Sequence, residues 1–174
     1  MEISNGWIKV GLTFQTLLLV SRRTRNTFGI VDRSLQTDES WQAAYEDCVS
    51  RGADLVSIHN QEEEEFLALY SKGTSKWIGL KNNPTEGGYS WSDGTPLSHT
   101  NWGHGEPNNH EGREDCVEMV SSTNGTISWW NDLNCDAHQD WICMITKGKT
   151  PILPPVPLLR YQVYSGKTTP LHTV

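Results

Sequence analysis

The chain predicts an α+β fold, on three observations. Two neighbouring segments carry the period of half-buried helices. Short apolar runs after them read as strands. A long polar loop interrupts those strands. Helices that stand together, with no helix between the later strands, belong to a fold that segregates its helices from its sheet.

Taken in order, Ile30 and Val31 open the domain as a first strand. Asp38-Glu39-Ser40 then starts a helix. Trp41, Ala44, Tyr45 and Cys48 follow at the i, i+3, i+4, i+7 spacing of a buried face, and Gly52 ends it. Asp54-Leu55-Val56-Ser57-Ile58 is a short strand. Asn60 caps a second helix, and the glutamates from Glu62 to Glu65 complement its positive end as a solvated start. Phe66, Leu67 and Tyr70 face inward, and Gly73 stops the helix. Trp77-Ile78-Gly79-Leu80 and Tyr89-Ser90-Trp91 are strands, the latter closed by the turn Ser92-Asp93-Gly94. From Thr95 to Arg113 the only large apolar residues are Leu97 and Trp102, and a loop this long inside a compact domain marks function. Cys116 to Val120 and Trp141 to Ile145 complete the strands. Trp77, Trp91, Trp102, Trp129, Trp130 and Trp141 read as core residues.

At 174 residues the expectation is one ordinary domain with flanks. The net charge of −7 is unevenly placed. Residues 28–146 hold 20 acidic and 6 basic residues, while the flanks hold 8 basic and 1 acidic. An acidic centre argues against recognition of a phosphate backbone, which needs a basic surface, and it suits a cation. The apolar stretch from Val10 to Val20 is too short to span a membrane. As an export signal it is poor, with no basic start and Ser21-Arg22-Arg23 after it. Residues 147–174 contain five of the eight prolines and read as an extended linker.

The four cysteines, Cys48, Cys116, Cys135 and Cys143, form no Cys-x-x-Cys pair, which argues against a zinc ribbon or a thioredoxin motif. An even count agrees with two disulfides in an oxidising compartment, and three pairings are open. Asn124-Gly125-Thr126 is an N-glycosylation sequon and points the same way. His110-Glu111 lacks the second histidine of a zinc protease, and no serine elbow or phosphate loop occurs, so an enzyme is not expected.

Glu106, Asn108, Glu114, Asn131 and Asp132 offer only carboxylate and amide groups between positions 106 and 132. Calcium is a hard cation that takes about six to eight oxygens, and this set supplies them.

These features resemble the C-type lectin-like domain, over roughly residues 28–146. The resemblance rests on Trp41 and Cys48, Trp77-Ile78-Gly79-Leu80, Glu106-Pro107-Asn108, Glu114-Asp115-Cys116, Trp130-Asn131-Asp132 and Trp141-Ile142-Cys143. It looks most similar to one domain of a mannose-receptor-type endocytic receptor, where the last strand also runs into a linker like Lys147-Gly148-Lys149-Thr150-Pro151. The family often starts with a cysteine-tyrosine strand, whereas Thr27-Phe28-Gly29-Ile30-Val31 has no cysteine. Residues 1–27 do not resemble the family.

The resemblance implies the pairs Cys48–Cys143 and Cys116–Cys135. It implies that Glu106, Asn108, Glu114, Asn131 and Asp132 hold calcium and share two adjacent hydroxyls of a mannose-type sugar: mannose, fucose, N-acetylglucosamine or glucose. It places His110 against the sugar, a cis bond before Pro107, and a weaker auxiliary calcium site at Asn82, Glu86, Asn109 and Asp115. The expected setting is extracellular, secreted or on a receptor ectodomain. The alternative is a lectin-like module that binds protein without sugar.

Overall fold

The computed structural model describes residues 39–85 and 87–145 in full. Outside them it gives the backbone of strands β1 (Glu2–Ser4), β2 (Trp7–Thr13), β3 (Thr16–Ser21) and β4 (Asn26–Val31). The described domain then runs α1 (Trp41–Ser50), β5 (Asp54–Leu55), α2 (Gln61–Ser71), β6 (Ser75–Asn83) and β7 (Gly88–Trp91). It continues with β8 (Cys116–Ser121), β9 (Ser128–Leu133) and β10 (Asp140–Thr146). A backbone hairpin, β11 (Tyr161–Tyr164) with β12 (Lys167–Pro170), stands in the stretch read as an extended linker.

The α+β reading holds. One sheet runs β1-β2-β3-β4-β10-β6-β8-β9, with β5 on β10 and β7 on β6. Its pairs are antiparallel except β10 with β6, where Trp141 lies opposite Trp77. The first strand expected at Ile30 and Val31 is β4, and Ile30 stands opposite Ile142 of β10. Ahead of it, β1 to β3 extend the same sheet over residues whose sequence shows no helical or strand period.

Ser40 caps α1, its Oγ accepting from Ala43 N–H at 3.3 Å. Trp41, Ala44 and Cys48 are buried, as their spacing required. In α2, Asn60 Oδ1 accepts from Glu63 N–H at 2.9 Å, and Glu63 Oε2 reaches back to His59 N–H at 2.9 Å. This reciprocal cap satisfies two donors at the helix end.

The solvated reading of Glu62 to Glu65 is therefore corrected in part. Glu63 and Glu64 are buried, at 3% and 1% exposed. Glu64 accepts from Trp130 Nε1 at 3.0 Å, Ser128 Oγ at 2.5 Å and Asn101 Nδ2 at 3.1 Å. A buried carboxylate persists where hydrogen bonds replace its water. The partners are 37 to 66 residues away along the chain, so no local pattern announces them.

Two apolar clusters fill the interior. Val56, Ile58, Leu67, Ile78, Leu80, Trp91, Val117, Met119 and Trp130 lie in one, and Trp41, Leu55, Trp77 and Trp141 in the other. Gly79 sits where the two sides close: a Cβ there would lie 2.7 Å from Ser92 Oγ and 2.9 Å from Leu55 O. Both disulfides pair as the resemblance implied. Cys48–Cys143 joins α1 to β10, and Cys116–Cys135 joins β8 to the segment after β9.

One core expectation fails. Trp77, Trp91, Trp130 and Trp141 are buried and Trp102 is partly buried, but Trp129 is 38% exposed. Period-two alternation on β9 sends Trp130 inward and its neighbour outward.

Candidate functional site

The long loop between β7 and β8 is fastened to β9 along its first half. Trp130 N–H donates to Asn101 O at 2.7 Å, and Gly103 N–H donates to Trp130 O at 2.8 Å. Trp102 packs edge-on against Trp130 and Tyr89, with ring centroids 5.8 Å and 4.9 Å apart. The loop is then turned at Glu106-Pro107, whose peptide bond is cis as expected, and by a short 3-10 turn at His110–Gly112.

Asp132 organises this turn from β9. It is fully buried. Its Oδ1 accepts from Asn108 N–H at 3.0 Å, and its Oδ2 accepts from Asn109 N–H at 2.8 Å and Tyr89 Oη–H at 3.0 Å. Burial, then the bond to Asp132, pushes the Tyr89 hydroxyl above its ordinary value, with smaller pushes from Asp115 and Glu114. Tyr89 therefore stays a proton donor amid three acids.

Glu106 faces the same place. Its Oε1 accepts from Asn108 Nδ2 at 2.9 Å, while its Oε2 is buried with no hydrogen-bond partner. Burial first, then the nearby Asp132 carboxylate, raises the Glu106 carboxyl above the usual range, against the lowering bond from Asn108. Among the described residues, Arg51 pairs with Asp47, Lys76 with Asp140 and Arg113 with Glu111. An orphaned carboxylate oxygen beside a second carboxylate fits a cation. Its neighbours are hard oxygen donors, the kind that calcium takes.

The other expected ligands are placed less directly. Glu114 Oε2 accepts from His110 N–H at 2.9 Å, and Glu114 N–H donates to Asn109 Oδ1 at 3.0 Å. Asn131 Nδ2 donates to Glu118 Oε1 at 3.0 Å, and Gln139 Nε2 holds the other oxygen of that buried glutamate at 2.7 Å. Glu118 lies opposite Asn131 in the β8–β9 ladder. A reading of the 106–132 ligand pattern alone passes over it; the clue available in the sequence was an acid in the interior of an apolar strand. At the auxiliary site Asn82 Nδ2 donates to Asp115 Oδ1 at 2.8 Å. Asn109 is tied to Glu114 and Asp132, and Glu86 lies outside the described residues. Among the described residues no group of three or more His, Cys, Asp and Glu could hold a metal; the expected set mixes acids with amides.

His110 is exposed at the loop tip, with Nε2 3.9 Å from Glu111 Oε1. Asn124 lies in an exposed turn, its Oδ1 accepting from Thr126 N–H and Thr126 Oγ1. One Ser-His-Asp trio does occur, wired against catalysis. Fully buried Ser57 donates to Asp93 at 2.6 Å, and His59 Nε2 is shared between Ser57 and Thr95. The acid holds the serine instead of orienting the histidine, which is the reverse of a nucleophilic triad.

The family model described as Lectin C-type domain matches residues 37–145. Over 106 residues the chain is 41% identical to the low affinity immunoglobulin epsilon Fc receptor of Mus musculus, covering 60% of this chain and 30% of that one. The chain thus spans about a third of the length of the curated relatives it matches. Among solved structures it is similar to the cow C-type carbohydrate-recognition domain of CD23 in the presence of GlcNAc2Man3 oligosaccharide. That match has 28% identity and TM-score 0.60, over 85% of this chain and 98% of that one. It is also similar to a calcium-independent type II antifreeze protein, with 25% identity and TM-score 0.57, over 87% and 96% of the two chains.

Proposed function

The chain belongs to the C-type lectin domain family, a family of non-enzymatic carbohydrate-binding proteins, and from that premise we propose that it binds mannose-type sugars through calcium. The observation that carries this reading is the buried, unpartnered Glu106 Oε2 facing Asp132, with the Asn108 amide bonded to its other oxygen. Glu106, Asn108, Glu114, Asn131 and Asp132 would hold the ion, with Asn82, Glu86, Asn109 and Asp115 as an auxiliary set. Calcium, when bound, supplies positive charge that two neighbouring sugar hydroxyls can coordinate.

The protein's own part is orientation. Glu106 and Asn108, side by side, would present an acceptor and a donor to one hydroxyl; Glu114 and Asn131 would do so for the next once the Asn131 amide turns from Glu118. Asp132 fixes the turn through Asn108 N–H and Asn109 N–H. The likeness to a carbohydrate-recognition domain studied with a mannose-containing oligosaccharide supports the ligand class. Two disulfides suit an extracellular setting, in which Asn124 carries a glycan and His110 touches the sugar. The larger role we assign is that of a mannose-receptor-type endocytic receptor. A protein-binding module without sugar is the second reading, favoured by the likeness to an Fc receptor and by the Asn131 amide turned to Glu118.

The test is retention on mannose-agarose and galactose-agarose, with calcium and with chelator. Mannose retention that a chelator abolishes, with no galactose retention, is expected. The double change Glu106→Gln, Asn108→Asp should move preference toward galactose. Equal retention in chelator, or a double variant that keeps its mannose preference, overturns the reading. No retention on either resin favours the protein-binding module.

Binding should also weaken in acid. Burial and the neighbouring Asp132 raise the Glu106 carboxyl, so it takes up its proton at a higher pH than an ordinary glutamic acid. Ion capture needs the carboxylate. Affinity is therefore full above that raised pKa and falls as pH drops through it. Calcium affinity should be weaker at about pH 5 than at about pH 7.5, with sugar released in parallel. A flat profile rules out release by proton competition.

A further inference from the structure

We propose that Trp129 is an accessory sugar platform that takes the second pyranose ring of an oligosaccharide whose terminal mannose-type residue sits at Glu106 and Asn108. The proposal rests on the sugar reading above and extends it to the size of the ligand.

Trp129 is the one tryptophan of the described domain left substantially open, at 38% exposed, and it belongs to neither apolar cluster. A large exposed aromatic beside polar groups is characteristic of a binding surface. Its place is fixed by two independent features. Along β9, Trp130 and Asp132 are buried, so alternation puts Trp129 on the same face as Asn131, an expected ligand. Across the loop, a Cβ on Gly103 would lie 2.9 Å from Trp129 Cδ1 and 3.4 Å from Glu106 Cγ. The indole edge and the Glu106 stem thus flank one point of backbone. That backbone is held on both sides: Gly103 N–H donates to Trp130 O at 2.8 Å, and Glu106 N–H donates to Gly103 O at 3.0 Å. Only a residue without a side chain leaves room for the indole there.

The chemistry of the occupant follows. A pyranose has a hydroxyl rim and an apolar C–H face. With the terminal ring's hydroxyls at Glu106 and Asn108, a second ring extending past Gly103 would meet the indole and could set its C–H face against it. Trp130 cannot serve, since it is fully buried and bonded to Glu64.

The test is isothermal titration of the calcium-loaded full chain with methyl α-mannoside, the α-linked mannobioses and chitobiose. At least one disaccharide should bind about two- to tenfold more tightly than methyl α-mannoside, the size of a typical aromatic contact. Trp129→Ala should remove that gain and leave methyl α-mannoside affinity unchanged, while Trp129→Phe retains part of it. A gain that survives in Trp129→Ala overturns the subsite, and the indole then serves another partner. So does a native protein with no disaccharide gain, or an equal loss for both ligand sizes, which would make Trp129 a structural residue. A native protein that binds none of these sugars fails the sugar reading itself and takes this proposal with it.

Discussion

Asp132→Ala is expected to abolish calcium-dependent mannose retention and to destabilise the domain by about 3 kcal/mol. The residue is fully buried and accepts from Asn108 N–H, Asn109 N–H and Tyr89 Oη–H. Alanine leaves all three donors without an acceptor in a place that water reaches poorly, and hydrogen bonds to a charged acceptor contribute about 1.5–3 kcal/mol each. Part of the loss is recovered because the turn at residues 106–109 is near the surface and can relax toward solvent. Asp132→Asn separates the two roles. It keeps an acceptor and the packing, so stability should fall by only about 1 kcal/mol, yet the charge facing Glu106 is gone and binding should still be lost. Urea unfolding gives the stability and mannose-agarose the binding. If Asp132→Asn retains mannose with full chelator sensitivity, Asp132 is not a ligand.

The second large effect concerns the disulfides. Removing Cys48–Cys143 by a double alanine change should cost about 4–5 kcal/mol, because the bond closes a segment of 95 residues in the unfolded chain. The Cys116–Cys135 bond closes 19 residues, and its removal should cost about 3 kcal/mol. Both estimates follow the chain-entropy account. The long bond also joins α1 to β10, two elements of one apolar cluster, and deleting both sulfurs leaves a small void there. Denaturant midpoints of the two variants should fall in that order. The reverse order would show that local packing around Cys116 outweighs loop length.

What the sequence disclosed, and what it withheld, divides by range. Helix faces were legible because their residues are three and four apart: Trp41, Ala44 and Cys48 went inside as their spacing demanded. The long polar loop was legible because little apolar competes there beyond Leu97 and Trp102. Strand β9 was harder. Trp129-Trp130-Asn131-Asp132 is apolar, apolar, polar, polar, and a period of two gives it no visible signature. Only pairing with β8 decides which tryptophan is buried. Glu64 was misread for a related reason. Four glutamates at a helix start look solvated when their partners, Asn101, Ser128 and Trp130, lie in a distant part of the chain. Glu118 hid the same way, since its acceptors matter only once Asn131 is seen across the ladder.

Glu64 has a consequence for how this domain can vary. By holding Asn101 and β9 at once, it divides a loop of nearly twenty residues at its root. Asp132 divides it again at Asn108 and Asn109. Closure entropy rises only slowly with length, so an inserted residue in an untethered span weighs little, whereas one that shifts a tether breaks several bonds together. Residues 111–113 are an exposed span beyond both tethers and beyond the His110 N–H bond to Glu114. Insertions, deletions and substitutions there leave Glu64 and Asp132 in place, so a lineage can explore new ligands at the tip while the scaffold beneath it stays the same.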